Sequence, residues 1–143
     1  MPEWNYADDW SEQDLLNGNY CGFVYIFQFE DGTSYVGSKQ IYKRVKSASK
    51  IRDNSVENGW REYTSSSNVV NRLIDEGMQY TRTILWAFPT MSETILVETI
   101  LISTEGLKAN NLNLSIMHKS RLPTGDNKKR LRCIVQEILG WLN

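Results

Sequence analysis

The side chains able to do chemistry in this 143-residue chain are few. There is one histidine, His118, and there are two cysteines, Cys21 and Cys133. A centre needing two imidazoles is excluded, and so are a disulfide framework and a cysteine zinc cluster. The two thiols are read as reduced core residues and His118 as a loop residue without a catalytic role. Tyrosine, arginine and carboxylate chemistry remains. Glu98 is the most informative carboxylate, because it interrupts Ile95-Leu96-Val97 and Thr99-Ile100-Leu101-Ile102. Such a helix is apolar on nearly every side, and burying an unpaired carboxylate in it is costly. Glu98 is therefore expected to meet a metal ion, to pair with a cation such as Arg44, or to lie at the core's edge.

A carboxylate-held divalent cation, a guanidinium and a tyrosine together suit phosphodiester hydrolysis. The cation and the planar guanidinium neutralise charge on the phosphate, and the cation helps the leaving oxygen. Tyrosine then has to accept the proton of the attacking water. Its ordinary pKa is near ~10, so it needs a neighbouring positive charge. Tyr25 and Tyr35 could equally be ordinary strand residues, since strands favour tyrosine. Tyr63 could simply pack beside Trp60, and Asn113 could be a turn residue.

The elements that must position these residues follow from pattern. Phe-Val-Tyr-Ile-Phe-Gln-Phe over Gly22–Phe29 reads as a strand, Asp31-Gly32 as a hairpin turn and Ser34–Gly37 as the return strand. After Gly37 the spacing of Ile41, Val45 and Ala48 predicts a helix with basic residues elsewhere on it. A short helix is read over Ser11–Leu16. Thr64-Ser65-Ser66-Ser67 offers N-caps for a helix carrying Val69, Val70, Leu73 and Ile74 and stopping at Gly77. Tyr80–Phe88 is a third strand. Thr90-Met91-Ser92-Glu93 is a capping-box pattern opening a helix to about Glu105. Residues 106–126 read as a polar loop, and Leu131 to Leu142 as an amphipathic helix. The expected fold class is α/β (α+β), with a small, mostly antiparallel three-stranded sheet flanked by helices.

Composition and charge narrow the class. With 41% hydrophobic and 23% charged residues the chain can build one core, and its length fits one domain. No run approaches a membrane span, and the N-terminus lacks the pattern of a signal peptide, so a cytoplasmic protein without a membrane partner is expected. The net charge is −1, but it is unevenly spread. Residues 1–31 hold seven acidic residues and no Lys or Arg. Basic residues gather in 39–52 (Lys39, Lys43, Arg44, Lys46, Lys50, Arg52) and in 108–132, where Lys128, Lys129 and Arg130 adjoin. Two such tracts fit localised contact with a polyanion, or else two solvated faces.

In their order along the chain these residues resemble the GIY-YIG nuclease family. Gly22 and Tyr25 match its first motif, and Tyr35-Val36-Gly37 its second. Arg44 within Lys43-Arg44-Val45 is similar to the family's helix arginine, Glu98 to its helix glutamate, and Asn113-Leu114 to its downstream Asn-Leu pair. Trp60-Arg61-Glu62-Tyr63-Thr64-Ser65-Ser66 looks like a segment common in phage-borne members. The likeness spans about residues 20–116. It implies a DNA endonuclease with Glu98 holding one Mg²⁺ (or Mn²⁺). Arg44 would stabilise the transition state, Tyr25 would deprotonate water with Tyr35 or Tyr63, and Asn113 would support the site. Many members carry His or Tyr one turn after the arginine; Ala48 stands there, and Tyr63 is the candidate replacement.

The expected organisation is an acidic extension over 1–20, a nuclease domain over 21–116, and a basic loop with a terminal helix over 117–143. The extension is a solvated tail or a DNA mimic lying against the basic tracts. Double-stranded DNA is the expected partner, contacted by Lys39, Lys43, Lys46, Lys50, Arg52, Lys128, Lys129 and Arg130, with the protein a monomer or weak homodimer. A phage homing or nicking enzyme in a bacterial host is the first reading. The alternatives are a restriction or defence nuclease, and a non-catalytic DNA-binding protein on the same scaffold.

Overall fold

The computed structural model describes residues 1–115 and 123–143. Its centre is a sheet of four strands in the order β1-β4-β2-β3. The hairpin of β2 (Gly22–Phe29) and β3 (Ser34–Gln40) forms as its pattern predicts. Gly32 takes φ 86, and the Asp31 carboxylate accepts hydrogen bonds from the Thr33 N–H at 3.0 Å and the Thr33 hydroxyl at 2.6 Å. β4 (Tyr80–Phe88) pairs antiparallel with the other side of β2.

The expected count of three strands is corrected by β1 (Trp4–Tyr6), which pairs parallel with β4. Its three residues are too few for periodicity to show, and its pairing depends on a partner far along the chain. Trp4 is buried and meets Phe23, Tyr25 and Phe27 edge-on. The segment read as an acidic extension thus supplies an edge of the sheet.

A second correction concerns the residues after Gly37. The predicted helix does not form. Instead β3 continues to Gln40, which pairs with Gly22, and residues 41–67 are irregular apart from a 3₁₀ turn at Ala48–Lys50. Ile41 and Val45 are buried as their spacing implies, but beneath a looped chain. The ladder to β2 satisfies the backbone through Gln40, so β3 runs past the point where the helix was expected to begin.

Three of the α-helices among the described residues start at capping side chains. Ser11, Ser67 and Thr90 each accept a backbone N–H at the start of α1 (Glu12–Leu15), α2 (Asn68–Asp75) and α3 (Met91–Glu105). α4 (Gly125–Leu142) begins earlier than its apolar residues suggested. The sheet separates two cores. Val24, Ile26 and Val36 pack with Leu96, Val97 and Leu101 of α3 and with Leu131, Ile134 and Ile138 of α4. On the other face Phe23, Tyr25 and Phe27 pack with Trp4, Trp60, Ile41, Leu15 and Val70. Both faces of β2 are covered, so its continuous apolar run is that of a central strand.

Candidate active site

Tyr25 points into the aromatic core and is only 1% exposed. Its partner across the hairpin is Gly37. A Cβ on Gly37 would stand 2.3 Å from the Tyr25 hydroxyl oxygen and 2.5 Å from Cζ, so only glycine leaves room for the ring. Gly22 serves a similar end on the opposite face. A Cβ there would stand 2.4 Å from Met91 Sδ and 2.8 Å from Thr94 Oγ1, so its absence lets β2 approach the first turns of α3.

Tyr63 arrives from the irregular segment and meets Tyr25 edge-on, with ring centroids 5.9 Å apart. Lys39 projects from β3 over the Tyr63 ring, its Nζ 4.5 Å from the centroid. Beneath them, Ser65 holds a left-handed φ of 75 and is buried. That turn is tied from several sides. Asn71 Nδ2 donates to the carbonyls of Ser65 and Ser67 at 2.9 Å each, and Thr64 Oγ1 donates to Asn71 Oδ1 at 2.7 Å.

Burial pushes the Tyr25 phenol well above its ordinary value; the Tyr63 phenol adds to the rise, and the Ser65 hydroxyl opposes it. Burial also raises Tyr35, with Ser65 again opposing and the Glu98 charge adding. Both phenols are therefore protonated at neutral pH, and one that served as a base would need a cation beside it.

Glu98 reaches this group from the other side of the sheet. It lies two turns into α3, is half-buried, and its Oε1 accepts a hydrogen bond from the Ser38 hydroxyl at 3.1 Å. β3 is the sheet's outer strand, so Ser38 and Glu98 on one face and Tyr35, Gly37 and Lys39 on the other meet around a single edge. Asn113 closes that edge. Its Oδ1 accepts the Val36 N–H at 2.9 Å and its Nδ2 donates to the Val36 carbonyl at 2.8 Å. A cleft of about 320 Å³ opens there, lined by Tyr35, Glu98, Asn113 and the Ser67–Asn68 start of α2.

Among the described residues no three His, Cys, Asp or Glu side chains converge as a closed metal cage. The donors fit a Mg²⁺ ion nonetheless. Such an ion keeps several waters and is held by one or two carboxylates plus substrate phosphate, and Glu98 beside an open cleft offers that arrangement.

The remaining expected residues are more dispersed. Arg44 is exposed on a turn at φ 63, and no hydrogen bond or ion pair holds its side chain among the described residues. Lys43, Lys46, Lys50 and Arg52 are exposed on the same segment, and Arg52 donates to the carbonyls of Ser49 and Ile51. Lys128 and Lys129 are exposed on α4, whereas Arg130 is paired with Glu93 at 2.6 Å. Cys21 is buried as expected, but Cys133 is exposed on α4 because its position falls off the apolar stripe. His118 lies outside the described residues.

Arg82 escaped the sequence reading. Its guanidinium is buried, and no salt bridge holds it among the described residues. It donates to the carbonyls of Pro2 (3.1 and 2.6 Å), Arg61 (3.1 Å) and Tyr63 (2.9 Å), and it covers the Trp4 ring at 4.4 Å. Burial lowers its pKa from the ordinary arginine value. The signal was available: Arg82 alternates with Tyr80 and Ile84 on an inward face, where a charge needs an explanation.

The family model described as "Putative endonuclease segE, GIY-YIG domain" matches residues 4–116. No curated protein and no solved structure matched the chain.

Proposed function

The chain belongs to the GIY-YIG nuclease family, and from that premise we propose that it is a Mg²⁺-dependent DNA endonuclease of the phage homing or nicking kind. One observation carries the reading: three tyrosines and the Glu98 carboxylate gather around the edge strand β3 beside an open cleft. A bound divalent cation would supply charge neutralisation at the phosphate and help to the leaving oxygen. Glu98 is the residue that would hold it. The phenols of Tyr35 and Tyr63 orient the attacking water, and Tyr25 anchors them from below with the hydroxyl of Ser65. Asn113 is a positioning residue, because its amide is engaged by Val36. The exposed cations Lys43, Arg44, Lys46, Lys50, Lys128 and Lys129 suit backbone phosphates, which gives affinity with little sequence information.

Supercoiled plasmid tests this. Wild-type protein with Mg²⁺ or Mn²⁺ is expected to produce nicked or linear product, and chelator is expected to stop it. Glu98→Gln should lose at least about 10²-fold in cleavage rate while still shifting the DNA in a gel. A gel shift without any cleavage by wild type would instead identify a DNA-binding protein on a nuclease scaffold.

A further inference from the structure

Among the described residues no hydrogen bond or ion pair ties the exposed Arg44 to the phenol cluster, and another cation, Lys39, lies against it. Lys39 follows Gly37 by two residues on β3, so the two lie on the same face of the strand. There its ammonium lies against Tyr63, which in turn abuts Tyr25. Lys39 differs from the other lysines of its tract. Lys43, Lys46 and Lys50 are exposed, whereas Lys39 is half-buried, and no carboxylate pairs with it among the described residues. Burial alone pushes its pKa down. A shielded ammonium resting on a ring face, one residue from the Ser38 that holds Glu98, is a charge waiting for an anion.

We propose that Lys39 is a further catalytic residue, whose ammonium takes a non-bridging oxygen of the scissile phosphate and holds the charge that builds there as water attacks. The inference rests on the nuclease reading above. In the step concerned, the attacking water, oriented by the phenols, releases its proton to solvent as its oxygen bonds to phosphorus. The bond to the leaving sugar oxygen breaks, and that oxygen is protonated from solvent. Lys39 neither gains nor loses a proton. This separates it from the exposed cations, which act on affinity: a charge at the phosphate undergoing attack acts on the rate once DNA is saturating.

The test is plasmid nicking under single-turnover conditions, with protein raised to saturation, for wild type, Lys39→Met and Lys39→Arg. Lys39→Met is expected to lose about 10²-fold or more at saturation, with its half-saturating concentration within about threefold of wild type. Lys39→Arg, which keeps the charge, should recover at least about tenfold of that loss. Circular dichroism and thermal unfolding check the fold; should Lys39→Met fail to fold, Lys39→Gln carries the same comparison. A neutral variant that matches the wild-type rate at saturation, or that loses only affinity, overturns the catalytic role and leaves the nuclease reading standing. Wild-type protein that cleaves no DNA with either metal overturns both.

Discussion

The hydroxyl of Tyr25 occupies the space that a Cβ on Gly37 would fill. The two residues are direct partners across the hairpin, so the glycine of the second motif exists for the tyrosine of the first. This gives a physical meaning to a pairing that a sequence motif only records.

Gly37→Ala should therefore displace the Tyr25 ring. Overpacking at so close a contact costs about 1–3 kcal/mol, and the phenol would move off Ser65 and Tyr63. Denaturant unfolding should show the lost stability, and plasmid cleavage should fall further than stability alone explains. Wild-type cleavage in a folded Gly37→Ala protein would dissociate Tyr25 from the reaction.

Asn113→Ala removes the side-chain amide that holds both polar groups of Val36. The expected stability loss is about 1 kcal/mol, since the edge stays open to water. The larger effect should be on order along β3. Hydrogen exchange at the Val36 amide is expected to accelerate, and cleavage to slow with DNA affinity preserved. Protection at Val36 unchanged from wild type would contradict the positioning role.

Arg82→Met takes the shared donor from the part-buried carbonyls of Pro2, Arg61 and Tyr63, at a cost on the order of 3 kcal/mol. Arg82→Lys should be little better, because a point charge cannot span Pro2, Arg61 and Tyr63 together. Thermal unfolding of both variants, read beside tryptophan fluorescence from Trp4 and Trp60, would check this. Equal stability of wild type and Arg82→Lys would argue against the fork geometry.

Alkaline stability offers a further check. Burial pushes the Cys21 thiol up from an ordinary 9.0 to about 11. The folded state thus keeps a proton that the unfolded chain releases. Stability from this source is complete below pH 9 and falls between about 9 and 11. Cys21→Ala should flatten that limb of the stability–pH curve, measured by denaturant titration. An unchanged slope would show that other groups set it, such as Tyr6, which burial raises to about 12.

Much of the scaffold was legible because its signals are local. Asp31-Gly32 marks a turn, Ser67 and Thr90 mark helix starts, and β2 carries a run of β-branched and aromatic residues. β1 was not legible, since its pairing with β4 is a long-range event in three residues. The segment after Gly37 misled for a definite reason: Ile41 and Val45 have helical spacing, but their burial is achieved by a loop pressed on the aromatic face. The candidate residues Tyr25, Tyr35, Tyr63, Glu98 and Asn113 do come together around one strand. Arg44 was expected on a helix and stands instead on a turn at φ 63, beyond the end of β3 at Gln40. The places of Lys39 and Ser65 beside the phenols became visible only once two sheet faces and an edge were defined, whereas the alternation of β4 already marked Arg82 as an inward-facing charge.

The buried fork of Arg82 ties together parts of the chain made at very different times. Its bond to Pro2 joins residues 80 positions apart, and the same guanidinium grips the backbone at Tyr63. During synthesis this tie cannot form until the fourth strand has left the ribosome. Chains released before residue 82 therefore lack the tie that holds Pro2 beside the backbone at Arg61 and Tyr63.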